Sequence, residues 1–113
     1  GEEVEQPTAQ NVAPASDEQR RNMKVQIAAG KIMKEAEEAI AAGGDPLEFV
    51  QAKIFGKYED EVLMQISGVP IKIILAGLEQ QLANMGGDSI LMTAGGQDFL
   101  TKMHKAIHAK YHG

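Results

Sequence analysis

The sequence predicts an all-α domain, a compact bundle of about five helices, two of them short, behind a disordered N-terminal tail. Three observations lead there. Apolar residues recur at three- and four-residue spacing over long stretches. Helix-start residues precede those stretches, and glycine pairs close them at Gly43-Gly44, Gly86-Gly87 and Gly95-Gly96. The β-branched run Val69 to Leu75 has a rival reading as a strand, but its apolar spacing continues helically to Met85, beyond a usual strand length.

Residues 1–15, GEEVEQPTAQNVAPA, are rich in Pro, Gln, Ala and Glu, with Val4 and Val12 the sizeable apolar side chains. Such a stretch buries too little to offset the entropy of ordering, so it reads as a flexible linker. A linker at the front is expected of a C-terminal domain belonging to a longer protein. Residues 16–113 then form one domain, since the length leaves no room for a second core.

Ser16 with Gln19 matches a capping box, and Asp17 and Glu18 suit the positive end of the helix dipole. The helix this opens runs to about Ala42. Val25, Ala29, Ile32, Ala36, Ala39 and Ile40 share one face, and lysines and glutamates take the other. Met23 and Ile27 fall off the buried face and form a small apolar patch suited to a partner. Asp45-Pro46-Leu47-Glu48 starts a short second helix with Phe49, Val50, Ile54 and Phe55 inward, ended by Gly56. A third helix spans Tyr58 to Ile66 and breaks at Ser67-Gly68. The fourth, Pro70 to Met85, is the most apolar. Its stripe is Ile71, Ile74, Leu75, Leu78, Leu82 and Met85, and with Ile73 off that stripe a central position is expected. A short turn capped by Asp88 runs to Thr93. The last helix, Gln97 to Tyr111, has Leu100, Met103, Ile107 and Tyr111 as its stripe.

Composition narrows function. The chain has 113 residues and a formal net charge of −5, with 11 Lys and Arg against 16 Asp and Glu. Nucleic-acid binding requires a basic surface and is not expected; Lys102, Lys105 and Lys110 with the histidines could form a local basic patch, and cations suit a helix C-terminus anyway. Absence of cysteine removes disulfides, thiol nucleophiles and thiolate metal sites. Three Phe, two Tyr and no Trp leave few rings for base stacking. No apolar run reaches the ~20 residues of a membrane span. The acidic start lacks a secretory leader, so a cytoplasmic placement and no membrane partner are expected.

Three groups of residues bear on chemistry. Gly86-Gly87-Asp88-Ser89-Ile90-Leu91 resembles the phosphopantetheine attachment site of acyl and peptidyl carrier proteins. The resemblance covers six residues and implies that Ser89 would carry the prosthetic arm; the same string also reads as a helix stop followed by a cap. His104, His108 and His112 step by four along one flank of the last helix, and His104 with His108 could chelate a metal through imidazole nitrogens. A glutamate placed as in H-E-x-x-H is missing, which argues against a zinc hydrolase. The acidic run Glu59-Asp60-Glu61 lacks a calcium-loop pattern and reads as a solvated helix start. No phosphate-binding loop, dinucleotide fingerprint or nucleophile elbow appears, and no cofactor is expected. The leading expectation is a non-enzymatic protein-interaction or assembly module, binding a protein partner or itself. Small Ala- and Gly-rich helical modules of this kind are common in phage-type structural or accessory proteins.

Overall fold

A computed structural model of the chain describes residues 16–113, so the expected tail over residues 1–15 lies outside the described residues. The all-α architecture is as the sequence predicts, with five α-helices and no strand among those residues. Helix α1 spans Asp17–Ala41 and opens on the predicted capping box. The Gln19 amide donates to Ser16 Oγ at 3.1 Å, and the Ser16 amide donates to Gln19 Oε1 at 3.0 Å. Ala28, Ile32 and Ala36 are its buried residues. Gly43, at φ 74°, turns the chain out of the helix.

Helix α2, Pro46–Phe49, is capped as expected: Asp45 Oδ2 accepts from the Leu47 and Glu48 amides, each at 3.0 Å. It then widens into a π-helical turn, Val50–Ile54, closed by the Phe55 amide donating to the Val50 carbonyl at 2.9 Å. The apolar spacing explains the widening. Phe49 and Ile54 are five residues apart, as are Val50 and Phe55. A step of five overshoots a 3.6-residue α-turn but returns to the same face of a π-turn. Phe49, Val50 and Ile54 are thereby all buried, with Phe55 half-buried.

Helix α3 spans Asp60–Gly68, starting later and ending later than the sequence implies. Ser67 does not break it, because its hydroxyl donates to the Leu63 carbonyl one turn back at 2.8 Å. After the corner at Val69 and Pro70, helix α4 runs over Ile71–Met85 at 87° to α3, which decides the Val69 to Leu75 run in favour of helix. Gly86, at φ 69°, ends it. A 3₁₀ turn, Ile90–Met92, follows, and its cap is Ser89 where Asp88 was expected. Helix α5 spans Ala94–His112, with Thr93 Oγ1 accepting from the Gly96 amide at 3.0 Å. Gly95-Gly96 therefore lies inside the first turn of α5 instead of separating two elements. Gly96 is needed there: a Cβ would sit 2.7 Å from the Leu91 carbonyl oxygen, far inside contact distance.

The core gathers around α5, whose Phe99, Leu100, Met103 and Ile107 pack among Ile32 and Ala36 of α1, Phe49, Val50 and Ile54, Leu63 of α3, and Leu91. Phe49 and Phe99 meet edge to face with centroids 5.4 Å apart. The expectation that α4 is central is overturned, since α4 buries no residue fully. The sharp corner at Val69 and Pro70 swings it outward, so that Ile71, Leu75 and Leu78 lean on the edge of the core.

Candidate functional site

The carrier-like serine works locally in this fold. Ser89 is half-buried; its Oγ accepts from the Leu91 amide at 3.1 Å and donates to Glu37 Oε2 of α1 at 3.0 Å. It opens a three-residue 3₁₀ turn.

The histidines form a column on α5. Ring centroids of His104 and His108 are 6.2 Å apart and those of His108 and His112 4.9 Å, with near-parallel planes. His104 Nε2 lies 2.7 Å from the Val69 carbonyl oxygen and His112 Nε2 lies 2.9 Å from that of Met64. A carbonyl only accepts, so both Nε2 atoms carry hydrogen and have no lone pair for a metal. Side-by-side rings do not converge on one point, so a chelate by His104 and His108 requires a ring to leave the stack. Among the described residues, no group of three or more metal-ligating side chains gathers. What the column does is fasten α5 to the end of α3 and to the corner before α4.

The acidic run at the start of α3 has a role that its sequence did not reveal. Glu59 pairs with Lys24 at 3.5 Å and Glu61 with Arg21 Nε at 3.2 Å, both on α1. Asp60 Oδ1 accepts from the Tyr111 hydroxyl of α5 at 2.8 Å. Burial, the hydrogen bond to Asp60 and that carboxylate's charge push the Tyr111 phenol up to about 12. Burial and then the nearby Glu35 also raise Tyr58, in a hollow rimmed by Lys31, Lys53 and Lys57. Opposite charges thirty or more residues apart leave no periodic signal, and so the sequence hid these ties.

The apolar surface lies on α1 and, above all, on α4. Met23 and Ile27 stand 58% and 57% exposed on the side of α1 opposite its buried stripe. Arg20, Lys24 and Lys31 surround them, which keeps that patch small. Helix α4 exposes far more. Ile73 is 61% and Met85 72% exposed, and Val69 is exposed at its foot. Beneath its first turns lies an apolar cavity of about 150 Å³ lined by residues such as Val25, Ala29, Ile74, Leu100 and Ile107. Between its second half and α1 runs an open groove of about 730 Å³, with Met33, Leu78, Leu82 and Met85 on its walls. Among the described residues no single helix is long and apolar enough to cross a membrane. Comparison with known proteins finds no matching family model, no similar curated protein and no similar solved structure.

Proposed function

We propose that this chain is a non-enzymatic protein-interaction or assembly module whose working surface is α4. One observation carries the reading: the most apolar helix of the fold has no fully buried residue. A helix on the surface of a finished domain normally turns a charged face to water. The outward face of α4 instead presents Ile73, Ala76, Gly77, Gln80 and Ala83, all exposed, and confines its charge to Lys72 and Glu79 on one flank. An exposed helix face that bears a large apolar side chain, Ile73, among small residues and little charge is suited to association. The Met23 and Ile27 patch on α1 is the smaller companion surface.

Hydrogen exchange followed residue by residue tests the reading. In dilute protein, the amides of α4 exchange much faster than those of α5, because few buried contacts hold α4 down. Equal protection of the two helices at the lowest workable concentration would show that α4 is closed onto the core, and the reading would fail.

A further inference from the structure

Helix α4 has two charged residues, Lys72 and Glu79, of opposite sign and seven positions apart. Two full helical turns separate them, so they project from the same flank, ~10 Å apart along the axis and too distant to pair with each other. Among the described residues neither makes an ion pair. The flank they occupy borders the uncharged face of Ile73, Ala76 and Gly77.

We propose that α4 packs against α4 of a second copy of this chain, antiparallel, about a two-fold axis that passes the outward face beside Ala76, midway between Lys72 and Glu79. The inference rests on the reading of α4 as the working surface and names its partner. An antiparallel two-fold arrangement sets Lys72 of each copy opposite Glu79 of the other. A parallel two-fold arrangement carries the two flanks to opposite sides of the seam, so that Lys72 and Glu79 of one copy meet neither charge of the other. One patch meets itself, as a two-fold interface requires. Ile73 then lies over Ala76 and Gly77 of the second copy, small residues that let the two backbones approach. The charges stay at the rim, where such pairs set orientation more than affinity. A single helix face offers less than the ~800 Å² per partner of a standard interface, so the pair dissociates on dilution.

The test is sedimentation equilibrium over a wide concentration range. The native chain shows a reversible monomer–dimer equilibrium. Lys72→Glu and Glu79→Lys each set like charges opposite one another twice and raise the dissociation constant roughly tenfold. The combined K72E/E79K chain recovers native pairing, and an equal mixture of the two single variants forms a heterodimer tighter than either alone. Because the chain has no cysteine, Ile73→Cys mixed with Ala76→Cys gives a geometric check. Oxidation cross-links 73 to 76 between copies faster than 73 to 73. A chain that stays monomeric at every concentration, with α4 still exchanging fast, overturns the pairing but leaves α4 open to a different partner. A dimer indifferent to both charge reversals also overturns it and moves the interface elsewhere, with Met23 and Ile27 the next surface to test.

Discussion

Helices α4 and α5 invert the relation between apolar character and burial. Helix α4 has two charged residues in its span, yet none of its residues is fully buried. Helix α5 contains Asp98, three lysines and three histidines, yet buries Gly96, Phe99, Leu100, Met103 and Ile107. The difference lies in neighbours. Helix α5 is flanked by α1, by α2 with its π turn, by α3 and by the 3₁₀ turn, so a narrow stripe is covered from every side. Helix α4 leaves a right-angled corner and touches the core along one edge. Apolar sequence states what a helix can bury; the connections before and after it decide whether anything arrives to do the covering.

The contrast is broken or sharpened most directly by truncating matched leucines. Leu100→Ala empties a fully enclosed site and costs about 3–5 kcal/mol in urea unfolding, whereas Leu78→Ala on α4, partly buried at the edge of the core, costs about 1–2 kcal/mol. Equal losses would mean that α4 is as firmly packed as α5. Next comes Gly96→Ala, which forces a methyl group against the Ile90 and Leu91 carbonyls. A loss of about 2–3 kcal/mol is expected by the same assay, while Gly95→Ala, with open space around it, changes little.

A smaller effect comes from pH. The phenol of Tyr111 is raised in the folded chain to about 12 against an ordinary value of 10.0. The folded state therefore keeps its proton where the unfolded chain has lost it. The contribution is complete below about pH 10 and is lost as pH climbs through about 12. Tyr111→Phe flattens stability against pH across that window; an unchanged slope would show that Asp60 and Tyr111 are uncoupled. Smallest is Ile73→Ala, expected within about 0.5 kcal/mol of the parent in dilute protein because the side chain stands in water. A large loss there would mean that Ile73 is covered within the monomer.

What was legible in the sequence follows the range of each interaction. The Ser16 and Gln19 box, the Asp45 cap before Pro46 and the glycine stop at Gly86 were all readable, because each joins residues within about one turn. The π turn at Val50–Ile54 was half legible, in the five-residue spacing of Phe49, Val50, Ile54 and Phe55. The tie from Ser89 to Glu37, the anchoring of His104 on Val69 and the clamp of Glu59, Asp60 and Glu61 onto α1 and α5 were hidden, since their partners lie far away along the chain. Met23 and Ile27 were readable as exposed from their position opposite the stripe of α1. The open face of α4 was not, because Ile73 looked like a second buried contact.

By itself, then, the sequence determined that the chain is helical, where most helices begin and end, and which stripe of each is apolar. Those outcomes depend on propensity and on hydrogen bonds among near neighbours, which travel with the residues themselves. Only the tertiary structure decided which stripes are covered, placing α5 at the centre and α4 at the edge. Burial is settled by the angle at which one element leaves another, and the corner at Val69 and Pro70 leaves the most apolar of the described helices at the edge of the core.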